Sequence, residues 1–139
     1  DTCLATGELL PVKDTPFDFN KRKRIGQDLE ADHIQLKNAF GYDHSFVLNG
    51  TENQLTLEEP VSGRRLIIST TAPVVQVYTG NFLKDGCIGK AGRVYENREG
   101  VALETQLMPN AINTEENPST ILRKGDKFES NTKYVFEIM

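Results

Sequence analysis

Between Gly41 and Ile138 the apolar residues fall in short runs, several of them alternating with polar ones, and glycine, proline or asparagine closes most runs. Few architectures tolerate that pattern, because side chains of an extended strand alternate between two faces whereas a helix repeats every 3.6 residues. In Gly41-Tyr-Asp-His-Ser-Phe-Val-Leu48, Tyr42, His44, Phe46 and Leu48 share one face, Asp43 and Ser45 the other. Asn49-Gly50 is a tight-turn signal and predicts a hairpin into Gln54-Leu-Thr-Leu-Glu58. Pro60 to Gly63 makes another turn, and Arg65-Leu-Ile-Ile-Ser-Thr-Thr71 is β-branched enough for a buried strand. Val74-Val-Gln-Val-Tyr-Thr79 resumes the extended pattern until Gly80-Asn81, and Val101–Leu107 and Thr132–Ile138 supply two more strands. Regular short strands with turns between them predict an all-β sandwich.

The remaining segments are less regular. Asp1 to Pro16 suits a short strand and a turn, and Thr15-Pro-Phe-Asp-Phe19 an extended stretch, since a residue preceding proline is pushed out of the helical region. Ile25 to Phe40 reads as one short helix or irregular turns. Lys84 to Gly100, with four glycines, and Pro109 to Pro118 are loops, and a turn at Lys124-Gly-Asp126 follows Ile121-Leu122. At 139 residues the chain fits one domain or part of one. It begins at Asp1-Thr-Cys-Leu without an initiator methionine, which reads as a piece of something longer.

Composition excludes several functions. A formal charge of −4 gives no broad field for nucleic acid or an anionic membrane, and the basic run Lys21-Arg-Lys-Arg24 reads as a solvated loop. No apolar run approaches the roughly 20 residues that span a bilayer. Cys3 and Cys87 lie far apart with neither CxxC spacing nor neighbouring histidines, as in a reduced, cytoplasmic chain with two incidental thiols.

Three polar residues occupy strand positions where an apolar one would pack more easily: Asp43, Gln76 and Glu104. Charge is costly to bury unpaired, so Glu104, in Val101-Ala-Leu-Glu-Thr-Gln-Leu107, either reaches water on a solvated face or stands in a cleft. Two acids and an amide on neighbouring strands suit a ligand rich in hydroxyl groups, because carboxylates accept hydrogen bonds and amides both accept and donate. His44 reads as a packed histidine beside Tyr42 and Phe46, and His33 has no evident partner. Neither a Ser/His/Asp arrangement nor a phosphate-binding glycine loop is present.

Thr15-Pro-Phe-Asp-Phe19, Gly41-Tyr-Asp-His44, Ser62-Gly-Arg64, Ser69-Thr-Thr71 through Gln76-Val-Tyr-Thr-Gly-Asn-Phe82, Gly100-Val-Ala-Leu-Glu-Thr-Gln106 and Pro109-Asn-Ala-Ile-Asn113 together resemble the C-terminal half of the aldose 1-epimerase (galactose mutarotase) family. The resemblance covers essentially the whole chain. It implies a large antiparallel β-sandwich of the galactose-mutarotase-like kind, of which residues 1–139 are the C-terminal portion. It also implies interconversion of the α and β anomers of aldohexoses, galactose or glucose, without cofactor or metal. By resemblance Glu104 is the general base, while Asp43 and Gln76 bind sugar hydroxyls. The family's general acid is a histidine of its N-terminal half, and no position here matches it, so the expected partners are an aldohexose and the missing N-terminal portion, with no nucleic acid or membrane. Asn110 stands where the family usually has aspartate, and Val74-Val75 replaces a common Pro-Gly lead-in. Two alternatives remain open at this point: a non-catalytic sugar-binding or regulatory protein of the same fold, and a sugar phosphate epimerase.

Overall fold

The computed structural model describes residues 4–84, 86, 88–114 and 120–139; Cys3 and Cys87 lie outside them. Among the described residues the regular structure is almost all β. Six strands, β1 (Asp43–Val47), β2 (Leu55–Glu59), β3 (Arg64–Thr70), β4 (Val74–Tyr78), β5 (Ala102–Gln106) and β6 (Thr132–Ile138), accompany one helix, α1 (Ile34–Ala39), and two 3-10 turns. The strands form two sheets, ordered β1-β4-β5 and β2-β3-β6. Two compact units divide the chain: one holds the residues up to His44 with Gln76–Leu103, the other Ser45–Val75 with Glu104–Met139.

The first unit is organised on aromatic rings. Thr15 makes the turn that brings in Phe17: its hydroxyl donates to Val12 O at 2.6 Å and accepts the Phe17 N–H at 3.1 Å. The Phe17 ring meets His44, His33 and Tyr42 edge-on at centroid distances of 4.7, 5.1 and 5.5 Å. Tyr42 is fully buried, and its hydroxyl donates to Pro16 O at 2.8 Å. Burial pushes that phenol up to about 12, with the Asp28 charge adding to the effect.

Lys23 corrects the reading of the basic run as simply solvated. Its ammonium donates to Pro16 O at 2.6 Å and Asp28 Oδ2 at 2.7 Å, and lies 4.5 Å from the centre of the Phe19 ring. A cation withdrawn from water needs this full set of partners. α1 follows, its first turn capped by His33, and it stops where Phe40 takes φ 57°.

In the second unit β3 is the central strand, antiparallel to both neighbours. The run expected to be buried is therefore the one with a strand on each side, and Ile68 within it is inaccessible to water. The hairpin from β2 to β3 is closed at Pro60–Gly63, as the sequence predicts, with Glu59 paired to Arg64. Both carboxylate oxygens of Glu59 receive backbone N–H groups, from Val61 at 2.8 Å and Ser62 at 2.6 Å.

Register gives this sheet two unlike faces, since directly paired residues share a face. Glu58, Arg65 and Glu137 lie opposite one another across the three strands. Arg65 bonds Glu58 at 2.7 Å and Glu137 at 3.4 Å. The other face carries Leu55, Leu57, Leu66 and Ile68 with Tyr134, Phe136 and Ile138 of β6, and ends in the paired Glu59 and Arg64. Phe136 and Ile138 remain 78% and 74% exposed.

Two expectations are corrected. Asn49-Gly50 does not join β1 to β2 in a hairpin, because the two strands lie in different sheets. The Leu48 N–H instead donates to Pro73 O at 2.9 Å, and the Thr79 N–H to Tyr42 O at 3.0 Å, which pairs the β1 segment with the β4 segment. Gln54 holds the departing chain: its amide donates to Gly50 O, and its Oε1 accepts the Thr70 N–H, both at 2.7 Å. No strand forms among the described residues before Pro16, where Leu9 and Leu10 are exposed and only the turn at Thr15 is realised.

Candidate functional site

Asp43 is the first residue of β1 and Gln76 the middle residue of β4. Their side chains meet: the Gln76 Nε2–H donates to Asp43 Oδ1 at 2.7 Å. Asp43 is exposed and Gln76 half-buried. The amide orients the carboxylate while the carboxylate keeps further acceptor sites, so the pair presents ordered polar groups at the surface. Groups that both donate and accept hydrogen bonds, such as hydroxyls, complement such a pair.

The segment in front of Asp43 is fixed by two buried polar side chains that the sequence presents only as the end of a strand. Thr79 and Asn81 are 3% and 4% exposed. The Asn81 amide donates to Ala39 O at 2.8 Å and Tyr42 O at 3.0 Å, and its Oδ1 accepts from the Thr79 hydroxyl at 2.8 Å. That hydroxyl in turn accepts the Tyr42 N–H at 3.1 Å. Gly41 runs against the Asn81 amide with φ +142°; a Cβ there would stand 2.3 Å from Asn81 Oδ1. Polar residues after a strand ordinarily read as solvated turn, which hides this pair in the sequence.

His44 is half-buried against Phe17, and its Nδ1 accepts the Asp43 N–H at 3.0 Å. Burial pushes its pKa below the ordinary value; the Asp43 charge opposes this and His33 adds to it. The packed histidine expected from the sequence is therefore found, on Phe17. His33 gains the partner that the sequence left unnamed: its Nδ1 accepts the Gln35 N–H at 3.3 Å and so caps α1.

Glu104 is the middle residue of β5 and is exposed, between half-buried Leu103 and Thr105. Its side chain is exposed, so the carboxylate bears no burial cost on the strand. Of the three residues singled out, the structure joins Asp43 to Gln76, and it places Glu104 in the other compact unit. Asn110 adopts φ 58°, a conformation asparagine tolerates well, and its Oδ1 accepts from the Asn113 amide at 2.6 Å. Among the described residues no three His, Cys, Asp or Glu side chains are placed to hold a metal, and no helix is long and apolar enough to cross a membrane.

Comparison with known proteins gives a consistent set of likenesses. The family model described as aldose 1-epimerase matches residues 1–135. Galactose mutarotase from Homo sapiens is 38% identical over 141 aligned positions, covering 99% of this chain and 40% of that protein. Aldose 1-epimerase from Escherichia coli K12 is 35% identical, over 92% of this chain and 38% of that protein. Among solved structures, the GalM/aldose epimerase homologue from C. elegans superposes with a TM-score of 0.84 at 30% identity, over 97% of this chain and 40% of that one. Galactose 1-epimerase from Lactobacillus acidophilus gives a TM-score of 0.72, also at 30% identity, over 97% and 39%. The chain thus spans about two-fifths of the length of these relatives.

Proposed function

The chain belongs to the aldose 1-epimerase family, and from that premise we propose that it is the sugar-reading and base-bearing portion of an enzyme interconverting the α and β anomers of an aldohexose. Asp43 and Gln76 bind sugar hydroxyls, and Glu104 is the general base. The observation that carries the reading is the 2.7 Å bond from Gln76 to Asp43, which organises an acceptor and an amide at the surface of neighbouring strands.

The chemistry asks for proton transfer alone. Glu104 takes the proton from the anomeric hydroxyl while an acid protonates the ring oxygen, and the C1–O5 bond breaks to leave the open-chain aldehyde. Rotation about C1–C2 turns the other face of the carbonyl to the O5 hydroxyl. Reclosure, with both protons returned, gives the other anomer. Neither histidine here suits the acid. His33 caps a helix through Nδ1, and His44 has Nδ1 committed to the Asp43 N–H while burial lowers its pKa. On this reading the acid comes, as the family resemblance implies, from the other three-fifths of a family-length protein, which is this chain's partner in the reaction.

Polarimetry on freshly dissolved α-D-galactose and α-D-glucose tests the proposal, with this chain alone and with a family-length protein containing it. The longer protein is expected to accelerate mutarotation over the spontaneous rate, and the chain alone to leave it unchanged. Sugar binding by the longer protein without acceleration would replace the enzyme with a sugar-binding protein. Activity of the chain alone would return His33 or His44 to the role of acid.

A further inference from the structure

The peptide joining Tyr42 to Asp43 is held at every polar atom. Its carbonyl receives the Thr79 N–H at 3.0 Å and the Asn81 amide at 3.0 Å, and its N–H donates to His44 Nδ1 at 3.0 Å. One peptide earlier, the Tyr42 N–H is held by the Thr79 hydroxyl at 3.1 Å. Thr79 and Asn81 are themselves buried and locked to each other at 2.8 Å. The Asp43 Cα–Cβ bond leaves directly from this fixed peptide.

We infer that Thr79 and Asn81 are positioning residues for Asp43, clamping the Tyr42–Asp43 peptide so that the carboxylate leaves β1 in the direction that meets Gln76 and the sugar. The inference rests on the reading of Asp43 as a sugar-binding group. A backbone without the clamp still forms strands, but the peptide plane is free to tilt, and a tilt moves the carboxylate relative to a ligand held by other parts of the site. Displacement of about 1 Å from a remote change can cost about 10²-fold in a well-aligned site. Since Asp43 contacts ground-state hydroxyls as well as those of the transition state, the effect falls on KM more than on kcat.

The test uses the family-length protein and four substitutions, Asp43→Ala, Thr79→Val, Asn81→Leu and Thr79→Ser, each assayed well below its own melting temperature. Asp43→Ala is expected to raise KM for galactose. Thr79→Val and Asn81→Leu are expected to raise it about tenfold with kcat altered less than about twofold, whereas Thr79→Ser, which keeps the hydroxyl, stays near native. Amide exchange at Tyr42 should quicken in Thr79→Val, whose side chain no longer accepts that hydrogen. Should Thr79→Val fail to fold, Thr79→Cys, of similar size and weaker hydrogen bonding, takes its place. Native KM in the clamp substitutions beside a raised KM in Asp43→Ala would overturn the inference alone. Native KM in Asp43→Ala would remove the sugar-binding reading first, and the inference with it.

Discussion

Replacing Gly41 by alanine puts the clamp in front of Asp43 to a direct physical test. The new Cβ would lie 2.3 Å from Asn81 Oδ1, closer than real contacts come, and 3.0 Å from Thr79 Oγ1, and the residue sits at φ +142°. Asn81 cannot swing aside freely, because its amide holds Ala39 O and Tyr42 O and its oxygen holds the Thr79 hydroxyl. Three lost hydrogen bonds at about 1 kcal/mol each come to about 3 kcal/mol. Forcing a side chain into a glycine-only backbone region adds about 1–3 kcal/mol, and the stiffer unfolded chain returns about 0.4–1 kcal/mol. The net loss is about 3–5 kcal/mol, a large part of the roughly 5–15 kcal/mol that stabilises a typical domain. For a chain of this size that lowers the melting temperature by on the order of 10–20 °C. Thermal and urea unfolding of Gly41→Ala beside Gly26→Ala gives the answer. Gly26 has nothing within 4 Å of a built Cβ and serves as the neutral control. If the two variants unfold within about 0.5 kcal/mol of each other, below the usual scale of a lost hydrogen bond, the clamp has no energetic substance.

Other consequences are more direct. Glu104→Gln in a family-length protein should cut turnover about 10²-fold or more, the scale of a lost general base, and near-native turnover would remove Glu104 from the mechanism. Asp43→Asn should weaken sugar binding in a titration while leaving the melting temperature almost unchanged, since Asp43 is exposed; the opposite pattern would make it a structural residue. His44 is held below its ordinary pKa of 6.5, so below that pH the unfolded chain binds the proton more readily than the folded one. Stability should therefore fall as pH drops from about 6.5 toward the folded value. Melts at pH 7.5 and 5.5 should show a larger acid loss in the native chain than in His44→Phe, and equal losses would refute this.

Strands were legible wherever alternation or β-branching marked them, as at Gly41–Leu48, Arg65–Thr71, Val74–Thr79 and Thr132–Ile138, because face alternation is a local property. Partners were not. Asn49-Gly50 is a sound turn signal, and Gly50 does take φ 71°, yet the backbone bonds go from Leu48 to Pro73. Nothing in the residues between 48 and 55 announces that. The polar residues Asp43, Gln76 and Glu104 were legible as a group because each stands on a strand where an apolar one packs more easily, but that Gln76 bonds Asp43 was not. Thr79 and Asn81 were not, since threonine and asparagine at a strand end are ordinarily solvated; only the bonding of each one exposes their burial. His33 was missed for a similar reason, histidine being no standard cap, and Lys23 because charge on a loop normally stays in water.

The β2-β3-β6 sheet has a last consequence at the bench. With the Glu58-Arg65-Glu137 row on one side and Tyr134, Phe136 and Ile138 projecting from the other, it has the build of a surfactant. At an air–water boundary the exposed Phe136 and Ile138 are expected to turn toward air while the ionic row stays in water. Vessels filled without headspace, or a trace of mild detergent to occupy the boundary first, should preserve more of the chain than added salt.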